Sequence, residues 1–444
     1  MKIRFLASVA LILSVWGGGS ASAQSAEEFF KTGLDKSKAG DFTAALQAFN
    51  QAIAMSPDNS PSYYNRGWAK AILRDHRGAI LDFDRAIELN PKDALSYLAR
   101  GNSKSKQEDH RAAVQDYNRA IELVPDDVQA YYNRGLSRTR LDDYKAALLD
   151  FSKTIELSSD NIQAYYSRGM CKLRLDDYAG SIPDFTKAVD LSPKQPKAFS
   201  GRGSANLKLA NYKGAVADYT KALELSPQDA DAYFNRGYAK SQLDDYKGAL
   251  ADFDKSVNLD PNTAQAYYGR GFARSRLGMQ KEGQQDLTRS IELNSMVVEK
   301  AAFSGPISKD VLGNLRNAVQ DKSRMSNLAS NRAEAFYARG LSRSRAGDPK
   351  NAINDYNRAI ELNPTYAEAY FTRGLTHSQM GDQAGAVQDC ANAIKLNPKF
   401  AEAYYVRGII RHSQGDSNGG CLDLSKAGEL GYNPAYNAIR DYCN

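Results

Sequence analysis

Residues 60–93 read SPSYYNRGWAKAILRDHRGAILDFDRAIELNPKD, and the same 34-residue pattern returns along most of the chain. The recurring residues stand at the fourth, eighth, twentieth, twenty-fourth, twenty-seventh and thirty-second places, and in this stretch they are Tyr63, Gly67, Ala79, Phe83, Ala86 and Pro91. Two apolar stripes of helical spacing flank a short polar turn, which predicts a hairpin of two α-helices. One hairpin cannot bury its apolar face alone, so we expect these units to stack on one another.

The glycine at the eighth place sets the register of the stack. It recurs every 34 residues from Gly33 to Gly271 and again from Gly340 to Gly408, which predicts a block of eight repeats and a block of three. The expected segments are a leader at 1–23, eight repeats at 24–297, an irregular helical insertion at 298–332, three repeats at 333–434 and a C-terminal capping helix at 435–444.

This period and these residues resemble the tetratricopeptide repeat (TPR), two antiparallel helices closed by a proline. The resemblance implies an all-α fold, a right-handed superhelical solenoid of about eleven helical hairpins. Gly67 and Ala79 would let the two helices of a hairpin approach closely. An Asp or Asn at the sixteenth place of nearly every repeat, such as Asp75, is expected to cap the second helix.

The first 23 residues predict a bacterial secretory signal peptide rather than a membrane anchor. Lys2 and Arg4 precede an apolar run from Phe5 to Trp16, which is short for a membrane span, and small residues lead to a cleavage site after Ala23. The mature chain would be periplasmic or secreted, with no transmembrane segment. Losing two of the 58 lysines and arginines leaves 56 against 52 acidic residues, a balance that does not indicate nucleic-acid binding.

An arginine at the seventh place and an aspartate at the twenty-third occur together in every repeat except the first. Examples are Arg66 with Asp82, Arg134 with Asp150, and Arg236 with Asp252. This joint presence predicts structural ion pairs, because a partly buried arginine without its carboxylate would be strongly destabilising. The alternative is a row of arginines that binds an acidic partner.

The insertion at 298–332 contains Gly305 and Pro306 where the first helix of a repeat would run, and proline removes a backbone donor there. The apolar spacing on both sides of this pair still favours helices. We therefore expect a two-helix unit without repeat geometry, and the alternative is a disordered linker. With no histidine or cysteine, the insertion offers little to an enzyme.

The sequence contains little that indicates catalysis, a metal or a cofactor. No His or Cys has a second at metal-ligand spacing, and there is no nucleophile elbow or phosphate-binding loop. Cys171 and Cys390 fall on core places and are expected to be buried thiols. Cys421 and Cys443 are near in sequence, and in an oxidising compartment they predict a disulfide that stabilises the capping helix.

The resemblance places the first helices on the concave face of the stack, where this chain has many aromatic residues at the fifth and ninth places. The predicted groove residues are Tyr64, Trp68, Tyr132, Tyr166, Phe234, Tyr238, Tyr268 and Phe272. For any one ring, packing between adjacent helices is the alternative. The family's best-known clamp for a peptide carboxylate has a basic residue at the fifth place, so these rings make that clamp doubtful.

These features predict a non-catalytic, exported scaffold for protein–protein interaction, which binds partner proteins or peptides along an aromatic groove. The alternative is an accessory protein of an exopolysaccharide or cell-envelope assembly or secretion machine, in which the rings would stack on polysaccharide.

Overall fold

The computed structural model of the chain describes residues 21–303 and 332–443. These residues form α-helices and no strand, which confirms the all-α prediction. Residues 1–20 and 304–331 lie outside the described part of the chain. The signal peptide and most of the irregular insertion therefore stay predictions.

The chain divides into two compact units, one ending at Lys194 and the other beginning at Gln195. The helices of the first unit are α1 (Ala21–Lys38), α2 (Phe42–Met55), α3 (Ser60–Ile72), α4 (His76–Leu89), α5 (Ala94–Lys106), α6 (His110–Leu123), α7 (Val128–Arg140), α8 (Tyr144–Leu157), α9 (Ile162–Arg174) and α10 (Tyr178–Leu191). The second unit begins with α11 (Pro196–Lys208), α12 (Tyr212–Leu225), α13 (Ala230–Gln242), α14 (Tyr246–Leu259), α15 (Ala264–Arg276) and α16 (Gln280–Phe303). It continues with α17 (332–345), α18 (Pro349–Leu362), α19 (Ala367–Gln379), α20 (Gln383–Leu396), α21 (Ala401–Ser413), α22 (Ser417–Glu429) and α23 (Pro434–Tyr442).

The helices pair into hairpins in chain order, and within a unit each hairpin packs against the next. First helices of successive repeats also touch one another, as α3 touches α5 and α13 touches α15. Successive second helices make no comparable contact in the part of the chain that the structure describes. The first helices are therefore more closely spaced, and we call their surface at the second, fifth and ninth places the inner face.

In most repeats a glycine and an aromatic ring fill the centre of the hairpin, whereas the eighth, tenth and eleventh repeats have Leu287, Cys390 and Leu424 in place of the ring. A Cβ added at Gly135 would lie 2.8 Å from the ring of Phe151, and one added at Gly67 would lie 2.9 Å from the ring of Phe83. Both rings are fully buried. The eighth place is thus glycine because a side chain there would displace the ring that packs the hairpin.

The turn between the two helices of a repeat has a similar form along the chain. Except in the eighth repeat, where Met279 stands at the sixteenth place, the side chain at this place accepts a hydrogen bond from the backbone N–H three residues later, as Asp75 does from Gly78, which confirms the predicted caps. The fifteenth-place residue has a positive φ, and it is glycine in some repeats but Arg74, Glu108, Asp142, Asp176, Ala210 or Asp244 in others. A left-handed backbone costs an L-residue about 1–2 kcal/mol, so these repeats carry a local strain.

Candidate functional site

The structure brings each predicted arginine and aspartate together. The distance from Nη2 to Oδ1 is 2.6 Å for Arg66 and Asp82, 2.7 Å for Arg134 and Asp150, and 2.6 Å for Arg236 and Asp252. All three aspartates are at most 3% exposed. A buried carboxylate needs such donors, because leaving it unpaired away from water is costly. In turn, the hydrogen bond to Asp252 raises the pKa of Arg236, although burial opposes the shift.

In most repeats the buried aspartate has a second cationic partner, which the sequence analysis did not predict. Arg138 Nη1, four residues after Arg134, donates to Asp150 Oδ2 at 2.8 Å. The residues that contact the aspartate in this way from the eleventh place are Lys70, Lys104, Arg138, Lys172, Lys240, Arg274, Arg343 and Arg411. The sequence signal was a recurring Lys or Arg one helical turn after the arginine.

The seventh-place arginine also reaches back to the preceding repeat. Arg134 Nη1 donates to Asn118 Oδ1 at 2.7 Å, and its guanidinium lies 5.3 Å from the ring centroid of Tyr131. The same link joins Arg66 to Asn50, Arg100 to Asp84, Arg168 to Ser152, Arg236 to Thr220, Arg270 to Asp254, and Arg373 to Asn357. We call the seventh-place arginine, its aspartate and this twenty-fifth-place acceptor the ladder.

The ladder's geometry favours the structural reading of the arginines. In Arg134, every guanidinium nitrogen already donates a hydrogen bond within the fold, to Asp150 or to Asn118. An acidic partner would have to compete with a buried carboxylate for these donors. The twenty-fifth-place acceptor was missed because its identity varies among Asn, Asp, Ser and Thr, and the tenth repeat has Ala391 at this place.

The ladder continues across the insertion. Gly271 and Gly340 are 69 residues apart, 35 more than one period. Even so, Arg339 Nη1 donates to Thr288 Oγ1 at 3.2 Å, the link that an uninterrupted stack would have. The Ser342 hydroxyl also donates to the Gln280 side chain at 2.8 Å. The eighth and ninth repeats are therefore direct neighbours, and the extra residues leave their interface in place.

Aromatic rings at the fifth place of the inner face are half-buried and pack on the central ring of their own hairpin. The centroid distances are 5.9 Å for Tyr64–Phe83, 5.8 Å for Tyr132–Phe151, 6.0 Å for Tyr166–Phe185 and 5.9 Å for Phe234–Phe253. Burial, followed by the charge of Asp93, raises the pKa of Tyr64 to about 12. Tyr268, in the same place, is also half-buried. Packing within the hairpin thus accounts for much of the burial of these rings.

The ninth place is more open to solvent. Trp68 is 38% exposed and Tyr238 is 42% exposed, whereas Phe272 is half-buried. The ring of Phe42, at the seventeenth place of the preceding repeat, meets Trp68 edge-on at 5.5 Å, and Tyr246 meets Phe272 in the same way at 6.2 Å. These seventeenth-place rings were missed in the sequence, although aromatic residues recur there. In these two cases they pack against the ninth-place ring of the following repeat.

Models of the tetratricopeptide repeat match residues 30–94, 128–161, 162–195, 230–263 and 367–400, and a model of the TPR repeat matches 101–142, 211–244 and 345–381. Together these matches cover more than half of the chain. The chain belongs to the tetratricopeptide repeat family. None of the matching TPR models is that of an enzyme, and the chain is a repeat scaffold whose fold is consistent with protein–protein interaction.

Several solved structures of TPR proteins are similar to parts of this TPR chain. YrrB, described as a TPR protein with an unusual peptide-binding site, is 26% identical with a TM-score of 0.38, over 41% of this chain and 95% of its own. A TPR protein from Parabacteroides merdae is 22% identical with a TM-score of 0.42, over 56% and 99%. PilF of Pseudomonas aeruginosa is 16% identical with a TM-score of 0.41, over 47% and 94%. Among curated proteins, none matches the chain.

The TPR stack ends in a helix that is covalently attached to it. A disulfide joins Cys421 on α22 to Cys443 beyond α23, with their Cα atoms 5.7 Å apart. The Tyr436 hydroxyl also donates to the carbonyl of Gly428 at 2.9 Å. Helix α23 therefore covers the side of the last repeat on which a further repeat would otherwise pack.

Other groups relevant to chemistry and location are few. Cys171 and Cys390 are free and buried. Burial, with the charge of Asp389, raises the pKa of Cys390 to about 12, so its thiol stays protonated at neutral pH. Over residues 21–303 and 332–443, no set of three or more His, Cys, Asp or Glu could hold a metal. In the same ranges, no helix has the length and apolar composition needed to cross a membrane.

Proposed function

We propose that this TPR chain is an exported, non-catalytic scaffold that binds a protein or peptide partner along its inner face. The observation that carries the proposal is the exposure of aromatic rings at the ninth place, Trp68 at 38% and Tyr238 at 42%. Rings of this kind commonly dominate the binding energy of protein interfaces. They lie beside fifth-place rings that the fold already holds in position, so a partner would meet a surface with little freedom to lose on binding.

Export is supported by two independent features of the chain. The first 23 residues have the pattern of a signal peptide, and the Cys421–Cys443 disulfide suits an oxidising compartment. Because a cytosolic disulfide is uncommon, the covalent attachment of the capping helix fits a periplasmic or secreted protein better than a cytoplasmic one.

The proposal is tested by photo-crosslinking of the exported protein in cells. Benzoylphenylalanine would be placed at Trp68 or Tyr238, and in control variants at Leu81 or Leu149, which are 65% and 73% exposed on second helices. We expect a common protein adduct from the two inner-face positions and not from the two control positions. Equal adducts from both sets would exclude the inner face as the working surface. An adduct with polysaccharide alone would instead favour the envelope-polysaccharide reading.

Alanine variants then measure the contribution of each ring. Trp68→Ala and Tyr238→Ala should weaken capture of the crosslinked partner and keep the far-ultraviolet helix signal of the parent. Tyr132, Tyr166 and Phe234 are poorer test positions, because each packs on a buried ring and its removal would disturb the hairpin itself. If the variant that carries both Trp68→Ala and Tyr238→Ala captures the partner as well as the parent does, the proposal is contradicted.

A further inference from the structure

A small cavity lies between the eighth and ninth repeats, where these repeats pack directly on each other. Its volume is about 140 Å³. Side chains of α15, α16 and α17 line it, and those on which its chemistry depends are Phe272, Leu287, Ala338, Leu341, Arg276 and Arg345. The cavity is thus built by three helices, two of which precede the insertion and one of which follows it.

The cavity exists because the eighth repeat lacks the ring that most repeats have at the twenty-fourth place. In the seventh repeat this ring is Phe253, and a Cβ added at Gly269, the sixth place of the following repeat, would lie 2.6 Å from it. The ring therefore reaches the first helix of the next repeat. In the eighth repeat Leu287 stands at the twenty-fourth place and faces the cavity, as does Ala338 at the sixth place of the ninth repeat. The space that a ring would fill stays open.

The wall of the cavity is largely apolar, and the hydroxyl groups in it are already hydrogen-bonded. Leu287 is fully buried. The Ser275 hydroxyl donates to the carbonyl of Gly271 at 2.9 Å, and the Ser342 hydroxyl donates to the Gln280 side chain at 2.8 Å. An apolar protein cavity of about 150 Å³ is large enough to bind benzene. This cavity therefore has room for one branched aliphatic or aromatic group.

Two arginines at the thirteenth places of neighbouring first helices give the cavity a positive charge. The guanidinium of Arg276 lies 4.8 Å from the ring centroid of Tyr246, whose hydroxyl donates to Asp244 at 2.6 Å. Among the side chains that the structure describes, no hydrogen bond or ion pair joins Arg276 or Arg345 to a carboxylate. The eleventh-place arginines of the same two helices differ, because each contacts a buried aspartate at 2.7 Å. An anion at the cavity would therefore meet two arginines that no carboxylate of the fold contacts.

We propose that this cavity binds a small carboxylic acid with one compact apolar group, of the size of isovalerate or phenylacetate. The apolar group would lie against Phe272, Leu287 and Leu341, and its removal from water would supply most of the affinity. The carboxylate would accept charge-assisted hydrogen bonds from Arg276 and Arg345. A free acid is favoured over a segment of a partner protein, because the cavity admits little beyond one apolar group. The inference goes beyond the proposed function and does not rest on it.

Two substitutions separate the apolar part of the site from its charge. Leu287→Phe supplies the ring that most repeats have, and it should fold, since the second and third repeats already combine such a ring, Phe83, with an alanine at the sixth place, Ala99. Arg345→Gln removes one charge from an exposed side chain. The matched control is Arg140→Gln, which changes an exposed arginine at the thirteenth place of the fourth repeat.

The experiment uses the disulfide-bonded full chain and ligand-detected NMR at neutral pH. The probes are isovalerate and phenylacetate, the uncharged phenylacetamide, acetate, and the peptide N-acetyl-phenylalanyl-glutamate methylamide. Phenylacetamide has the apolar group without the charge, and acetate has the charge without the apolar group. The peptide represents an apolar side chain beside a carboxylate in a partner protein. The far-ultraviolet helix signal of each variant is measured alongside.

We expect isovalerate or phenylacetate to bind the parent and Arg140→Gln equally, with binding at least about tenfold weaker to Leu287→Phe because the cavity is filled. Binding to Arg345→Gln should be about fivefold weaker, and phenylacetamide and acetate should each bind at least about tenfold more weakly than phenylacetate.

The inference is overturned if neither acid shows saturable binding, or if Leu287→Phe, with the helix signal of the parent, binds them as the parent does. Equal binding of phenylacetamide or of acetate would also exclude a site for an apolar anion. If the peptide binds more tightly than both acids, the occupant is a partner segment and the free acid is excluded. None of these results depends on partner capture, which tests the proposed function separately.

Discussion

Removal of one ladder arginine should destabilise its repeat more than removal of the whole ion pair. Arg134 donates through Nε and Nη2 to Asp150, which is 1% exposed, and through Nη1 to Asn118 of the preceding repeat. Replacement of Arg134 by leucine would leave Asp150 with Arg138 as its one cationic partner, at 2.8 Å. The carboxylate would stay buried because its position is fixed by α8.

The size of the effect follows from what is left behind. Breaking a buried pair by removing one partner costs about 3–5 kcal/mol, and because Arg138 remains we expect about 3 kcal/mol for Arg134→Leu. In the double variant Arg134→Leu, Asp150→Leu no carboxylate is buried, and Arg138, whose side chain is 22% exposed, can turn to water. We expect that variant to lose roughly 1–2 kcal/mol, so the two substitutions should be far from additive.

The assay is hydrogen exchange of the native chain, read as the opening free energy of α7 and α8, with α19 and α20 as an internal reference. The control is Lys153→Ala, which removes an exposed pair with Glu156 on the same helix and should cost at most about 0.5 kcal/mol. The reasoning is refuted if Arg134→Leu costs no more than the control, or if the double variant costs the sum of the single ones.

Two further predictions concern the stack. Separately produced fragments 24–303 and 332–444 should associate in sedimentation experiments. Arg339→Leu should weaken this association because it removes the link to Thr288. If the parent fragments stay apart, the stack is not continuous across the insertion. Ala210→Gly should raise the free energy of unfolding by about 0.5–1 kcal/mol, since glycine relieves the positive φ of 56° but loses more chain entropy on folding. An unchanged urea midpoint would argue against strain at this turn.

The fold could be predicted from the sequence because each step of the argument was local. The spacing of Gly67, Ala79 and Phe83 required two helices in close contact, and a period of 34 required neighbours on which to pack. The insertion interrupts this period, so the period could not predict whether the repeats on its two sides pack against each other. Whether a repeat stacks across extra residues depends on the surfaces of its two neighbours, such as Thr288 and Arg339, which are remote in sequence.

The site was predictable in part. The positions of the rings on first helices could be read from the repeat, but their exposure could not, because it depends on how closely each ring approaches a partner in its own hairpin. Tyr132 at the fifth place and Tyr238 at the ninth are both predicted on the same face of a first helix, yet Tyr132 packs on Phe151 and Tyr238 is 42% exposed.

The ladder links each repeat to the one before it in the sequence. This direction has a consequence for the gain or loss of whole repeats by duplication or deletion of 34-residue segments. Where the link is present, an arginine takes its aspartate from its own repeat and its further acceptor from the repeat before, so a segment of 34 residues copied in tandem already carries the acceptor that its copy needs. Loss of a whole segment likewise leaves no guanidinium without a partner. The joint before the last repeat is different, because Ala391 stands where an acceptor would be and offers Arg407 no side-chain oxygen. Duplication of the repeat that contains Ala391 would therefore add a second joint of this weaker kind, whereas duplication of the one that contains Asn118 would add a fully bonded one.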